Sequence, residues 1–247
     1  MRNTGIELSL NADAIRTKDF DWNISLNLAH NENEVTRLSN DVFTMDKILL
    51  GDVFIRGGSS SGTHVLEEGR PIGQFYGLVC NGIDENGRYI MVDKDYIGSA
   101  QPKLTYGITN TFRYKNFDLS FFLRGTIGND ILNATRMAYA QSGFLPGTNA
   151  LDDPLTYTLS ETPRFSNYYL EKGSFMRLDN LTLGYKIKAL NGIRVYFTAQ
   201  NLFVITKYKG LDPEVPMDSG DGLTPGVEPR EFYPKARTFS VGLNLNF

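Results

Sequence analysis

The chain has 247 residues, 25 Lys and Arg against 28 Asp and Glu, and an aromatic fraction of 12%. A net charge of -3 excludes the basic face that a nucleic-acid binder carries, and the lone cysteine, Cys80, excludes an intrachain disulfide and a Cys-based zinc site. No run of about 18 apolar residues occurs, so no helical span is expected, and the first residues lack an apolar signal core, which places any export signal upstream.

In chain order, the first element is a strand over residues 6–14, where Ile6, Leu8, Leu10, Ala12 and Ala14 alternate with Glu7, Ser9, Asn11 and Asp13. Residues 20–28 repeat the pattern, with Phe20, Trp22, Ile24, Leu26 and Leu28 on one face. A long connection over 37–62 follows. Its glycine-rich stretch at 57–62 lacks the Lys-Ser/Thr of a phosphate loop and reads as a plain loop. Two weaker strands, 63–68 and 72–79, flank Gly69, Arg70 and Pro71, and a second long connection covers 81–103.

Residues 104–114 and 117–127 then form a hairpin closed by Lys115 and Asn116 alone. After a third long connection, 128–173, the alternation changes phase between Leu178 and Leu181, which predicts a β-bulge near Asn180. Leu181, Leu183, Tyr185 and Ile187 lead to a short turn at Asn191 and Gly192, and Ile193, Val195, Phe197 and Ala199 lead out of it. The last long connection, 206–236, carries Asp212, Glu214, Asp218 and Asp221. These acids depart from EF-hand spacing, so a solvated acidic loop is the expected reading and calcium the alternative. The chain ends on Phe239, Val241, Leu243, Leu245 and Phe247, alternating once more.

About nine strands result, and short and long connections alternate strictly. All tight turns therefore fall at one end of the sheet and all long loops at the other, the asymmetry of an outer-membrane barrel. The strands are of the length a tilted bilayer span needs, about 9 to 11 residues, and aromatic side chains gather beside the tight turns as an interfacial girdle would. The fold class expected is all-β, an antiparallel transmembrane β-barrel. A soluble or surface-anchored β-sandwich that binds glycans is the competing reading, because period two alone does not say whether lipid or protein meets the apolar face.

Several stretches carry a closer likeness: Arg2 to Leu8, Phe20-Asp21-Trp22, Gly69 to Gly77, Gln101 to Gly107, Tyr114 to Leu119, Phe175 to Tyr185, Gln200 to Phe203 and Tyr208 to Glu214. Together they resemble the SusC/RagA class of TonB-dependent transporters of the Bacteroidetes, over essentially the whole chain. The resemblance implies a 22-stranded barrel around a plug, with residues 1–247 as its C-terminal portion and last nine strands, the plug and earlier strands lying elsewhere. It implies residence in outer-membrane lipid and import of oligosaccharides or peptides with energy from the TonB complex. A SusD-like lipoprotein lid is implied as well. It also makes Phe239, Val241, Leu243, Leu245 and Phe247 a signal for the barrel assembly machinery. Tyr96, Tyr139, Tyr168 and Tyr169, on the long loops, are the candidate contacts to cargo or lid. No catalytic set, cofactor or metal is read: His30 and His64 are the only histidines and sit in no catalytic spacing.

Overall fold

The computed structural model describes residues 1–56, 62–188, 193–215, 222–230 and 233–245. In chain order the strands are β1 (Arg2–Arg16), β2 (Phe20–Glu34), β3 (Lys47–Leu50), β4 (His64–Glu67), β5 (Gln74–Ile83), β6 (Tyr89–Ser99), β7 (Leu104–Tyr114), β8 (Phe117–Ile127), β9 (Asp130–Leu132), β10 (Leu170–Lys172), β11 (Phe175–Ile187), β12 (Ile193–Thr206) and β13 (Thr238–Asn244). Two short helices, α1 (Ala134–Tyr139) and α2 (Pro154–Thr158), lie between β9 and β10.

The main sheet has seven antiparallel strands in the order β1-β2-β7-β8-β11-β12-β13. Its registers align rows of apolar residues drawn from all seven strands on one face. One row runs Leu10, Leu26, Ile108, Leu123, Leu178, Phe203, and the next Ala12, Ile24, Asn110, Phe121, Leu181, Ala199, Phe239. Nearest the tight turns the row is Phe20, Tyr114, Phe117, Tyr185, Val195, Leu243, with Phe117 and Tyr185 in ring contact at 4.6 Å. From Phe20 to Leu28 the apolar stretch of β2, at about 3.3 Å per residue and a tilt of about 45°, covers roughly 20 Å, near the height of a barrel's lipid band. Above it on the same face stand charges: Arg2 donates to Glu34 at 2.5 Å, and His30 lies 3.5 Å from Glu32.

No second sheet of the described residues packs on this face. Leu8 is 52% and Leu243 62% exposed, while the buried core consists almost wholly of residues from the inserts between main-sheet strands. A sandwich would invert that distribution, so the apolar face is not the inside of a soluble domain.

The bulge expected near Asn180 is present as a register shift between Leu178 and Asn180, and Lys115 takes the left-handed conformation (φ 52°) that the two-residue β7–β8 turn requires. The expected count of about nine strands is corrected to seven. Residues 63–68 and 72–79 contribute not to the main sheet but to a separate one of order β3-β4-β5-β6. The short-long alternation survives, because 35–103 is one insert, followed by inserts 128–174 and 207–237. The turn at Asn191 and Gly192, the stretch 57–61, Asp218, Asp221 and Phe247 lie outside the described residues.

Candidate functional site

Two constructions occupy the insert end of the sheet: a polar wall with a buried charge network, and a cap built from all three inserts.

The polar face opposite the apolar one is lined by short side chains that satisfy one another. Ser9 donates to Asn27 at 2.8 Å, Ser25 to Asn11 at 2.5 Å and Asn23 to Asp13 at 2.9 Å, while the Thr182 and Thr198 hydroxyls pair at 3.2 Å. Nearer the tight turns Arg194 grips Asp118 with two hydrogen bonds, 2.9 and 2.5 Å. Gly242 is a glycine for a spatial reason: a Cβ there would stand 2.3 Å from the Tyr196 ring that lies across it.

At the insert end the β11 bulge makes room for a charge cluster. The Arg177 side chain is only 3% exposed. Its Nη2 donates to Asp212 Oδ1 at 2.5 Å, and its Nη1 donates to Asn201 Oδ1. Arg177 Nε lies 2.7 Å from Glu214 Oε2, an ion pair by proximity although the N–H is not aimed along the contact. Arg124 donates to Asp179 at 2.9 Å and to both oxygens of Glu214 at 2.5 and 3.1 Å, and Lys235 Nζ reaches Glu214 at 2.7 Å. Three cations thus face three carboxylates. Burial pushes the Glu214 carboxyl up, but the bonds from Arg124 and Lys235 outweigh it and hold Glu214 below its usual range. The network pins Asp212-Pro213-Glu214, the root of the third insert, onto the polar wall. Asp212 and Glu214 are therefore occupied by guanidinium and ammonium groups rather than open to a cation. Beside the network lies a cavity of about 530 Å3 whose walls include Pro102, Tyr106, Phe175 and Pro213, with Arg124 and Lys235 at its charged side.

The cap follows from local sequence. Asn133 caps α1 by accepting from Arg136 N at 2.8 Å; Asp153 caps α2, with Pro154 at its first turn, and also accepts from Arg136 Nε at 2.8 Å. The core joins Val53, Ile55, Phe75, Cys80, Tyr89 and Ala100 of the first insert to Leu132, Met137, Leu155, Phe165 and Tyr169 of the second. The third insert is stitched in by backbone bonds: Leu132 N donates to Gly226 O at 2.9 Å and Glu228 N to Leu132 O at 3.0 Å. Gly226 takes φ +76° where a Cβ would meet the Ala100 methyl at 2.6 Å. The buried Glu228 carboxylate accepts from Thr135 N at 3.2 Å and Leu211 N at 3.0 Å.

Of the four tyrosines singled out, Tyr96, Tyr139 and Tyr168 are half-buried at the cap surface. The Arg70 guanidinium lies 3.5 Å from the Tyr96 ring centre, that of Arg56 4.8 Å from Tyr139 and that of Arg136 5.5 Å from Tyr168. Tyr169 differs from the other three: it is fully buried, its hydroxyl 2.5 Å from that of Tyr89. Burial pushes Tyr89 up to about 12 and Tyr169 higher still, so both phenols stay neutral and serve the core. His64 is buried between the Thr63 hydroxyl and the Pro225 carbonyl, each 2.9 Å from a ring nitrogen, while His30 stands at the exposed end of β2. Phe239, Val241, Leu243 and Leu245 are all exposed on the terminal strand region, the first three in register with β12. Sequence reading missed Arg177 and Arg124. Their signal was the bulge itself, which brings two inward arginines side by side across β8 and β11.

No family model matches the chain. Among curated proteins it is 35% identical over its whole length to the TonB-dependent receptor SusC of Bacteroides thetaiotaomicron, spanning 26% of that receptor. It is 30% identical, again over its whole length, to TonB-dependent receptor P3 of Formosa agariphila, spanning 29% of it. Among solved structures it is similar to a RagAB peptide importer in its closed-closed state, with a TM-score of 0.75 and 25% identity over 98% of this chain and 29% of that one. Residues 1–247, spanning between a quarter and a third of the length of these relatives, belong to the SusC/RagA family of TonB-dependent receptors.

Proposed function

We propose that these residues form the C-terminal barrel portion of a bacterial outer-membrane transporter that imports oligosaccharides or peptides. TonB drives the import, a SusD-like surface lipoprotein acts as lid, and the work is transport rather than catalysis. The observation that carries this reading is the apolar face of the seven-stranded sheet, left uncovered by the chain's own described residues while the core sits in the cap. Outer-membrane lipid is the solvent that suits it. β1 and β13 each pair on one side only. In hydrocarbon every unpaired backbone group on those edges costs several kcal/mol, so further strands outside residues 1–247 complete the barrel, and the family resemblance adds a plug in its lumen. The terminal apolar positions Phe239, Val241, Leu243, Leu245 and Phe247 serve the barrel assembly machinery. Cargo passes along the polar wall of hydroxyls, amides and paired charges, with Tyr96, Tyr139 and Tyr168 at its outer approach.

The test uses the full-length gene product. Extraction only with detergent and heat-modifiable migration on a gel are expected; solubility without detergent would reject the barrel. Cells carrying the transporter should accumulate labelled oligosaccharides or peptides only when TonB is intact. Equal uptake without TonB would remove the energy coupling from the proposal.

A further inference from the structure

We propose that Asn201 is the positioning residue of the third insert: its carboxamide ties both ends of that insert to one point of the polar wall, and so sets the width of the cavity of about 530 Å3 between insert and wall, where neutral oligosaccharide in transit makes contact. The inference rests on the function proposed above and names its substrate class.

A backbone outlier marks the position. Among the described residues only Lys115 and Asn201 combine a positive φ with a side chain. Lys115 closes a two-residue turn. Asn201, at φ 53°, stands instead inside β12, where Leu178 pairs with Phe203 and Asn180 with Gln200, so that Asp179 alone faces Asn201 and Leu202. Glycine takes that conformation at the least cost, and another residue persists there only where its surroundings hold it. Here the carboxamide does the holding. Its Oδ1 accepts from Arg177 Nη1, and Arg177 Nη2 donates to Asp212 Oδ1 at 2.5 Å, at the entry of the insert. Its Nδ2 donates to Lys235 O at 2.7 Å and Ala236 O at 3.2 Å, at the exit. Lys235 Nζ then reaches Glu214 at 2.7 Å and closes exit upon entry. A glycine would keep the path of the chain and lose all three ties.

The cavity lies where this knot sets the spacing. Pro213, Val215 and Lys235 of the insert form one side and Thr105, Thr126 and Phe175 of the wall the other, so the chain's own insert roofs it. Of the lining only Arg124, Glu214 and Lys235 are charged, and each is already ion-paired. A peptide terminus or charged side chain would lose hydration there without meeting a free counter-charge. Apolar surface from Phe175, Pro102 and Pro213, beside the amides of Gln101 and Asn129, suits a sugar with its C–H faces and neutral hydroxyls.

The test uses the full-length transporter in micelles with a Thr126→Cys reporter in the cavity, labelled by methyl methanethiosulfonate. Neutral oligosaccharides hydrolysed from plant and algal polysaccharides should slow the labelling several-fold, and a tryptic digest at equal mass should not. Asn201→Gly permits the backbone conformation and removes the carboxamide. It should raise the sugar concentration needed for protection about tenfold, with amide exchange quickened in 207–215 and 233–237 together. Asn201→Asp keeps the acceptor for Arg177 but sets a carboxylate against two carbonyls, so exchange should quicken in 233–237 while 207–215 keeps its protection. Unchanged sugar protection in Asn201→Gly, or exchange quickened at one end alone in that variant, would overturn the positioning role. Protection by the digest rather than the sugars would overturn the substrate class. A reporter that the reagent does not reach, or that neither mixture protects, would overturn the cavity as a cargo contact. Each of these outcomes can occur while TonB-dependent uptake and detergent-only extraction persist, which keeps them distinct from a failure of the transporter reading.

Discussion

At the scale of single residues, two buried polar arrangements carry energetic consequences. Asn110 stands in the apolar row between Ile24 and Phe121 and is nearly buried, yet the Trp22 indole donates to its Oδ1 at 3.0 Å. Trp22→Phe keeps an aromatic ring but leaves that oxygen unpaired, which should cost about 1–3 kcal/mol. Asn110→Val in the same chain should recover most of the loss. Denaturant midpoints of the full-length protein in micelles check both, and equal destabilisation in the single and double variants would refute the pairing. Arg177 is the second case. Replacing it by Met leaves Asp212 without its cation in a buried site, while Glu214 keeps Arg124 and Lys235; the cost should be about 3–5 kcal/mol, read as faster amide exchange in 207–215 with β4–β6 unchanged. The pH sign follows from Glu214, whose folded pKa is lowered. Its stabilisation is fully present above its unfolded value of about 4.3 and disappears as pH falls through the lower folded value. Protection of the insert root should therefore hold at neutral pH and decline only below about pH 4.

At the scale of the element, the two faces of β2 make opposite predictions. Leu26→Lys puts an ammonium in the middle of the lipid band and should cost about 2–4 kcal/mol, whereas Asn27→Lys, one residue on and facing the polar wall, should stay within about 0.5 kcal/mol. The reverse ranking, measured by folding into bilayers, would mean the faces are exchanged. The apolar part of this strand, 20–28, was legible, because period two over nine residues has one structural meaning; its continuation to Glu34 was not, since residues 30–34 are all polar and show no alternation. The bulge was legible for the same reason, since a phase change in an alternating pattern marks an extra residue. β4 and β5 were misassigned because Val65, Leu66 and Phe75 are buried while their neighbours sit in short, irregular pairings; alternation in a four-residue strand does not say which sheet it joins. The helices α1 and α2, of 6 and 5 residues, are too short to show a helical period at all. Tyr169 looked available because a tyrosine in a long connection usually is. Only the folded cap reveals that its ring fills a core.

At the scale of the whole molecule, the described chain divides into a sheet with a bare apolar face and a cap that carries the dry interior. Phe75 belongs to the first insert but packs in the core shared with the second. Phe75→Ala should cost about 3–5 kcal/mol of cap stability, and the loss should appear as faster amide exchange in 35–103 and 128–174 together, and in 222–228 through the Leu132–Gly226 bond. Exchange confined to the first insert would show that the inserts open independently. The sheet, whose ladder does not depend on that core, should keep its protection.

The joint core has a bearing on how such proteins diversify. Variation at an outer rim is often pictured as the free exchange of one loop for another. Here a transplanted segment would arrive without the neighbours that fill its side of the interior, and the recipient would keep a hollow where the old one sat. Chimaeras with a relative should accordingly succeed when the three inserts travel as a set and fail when one moves alone, which makes the set, rather than the loop, the unit in which a new specificity is acquired.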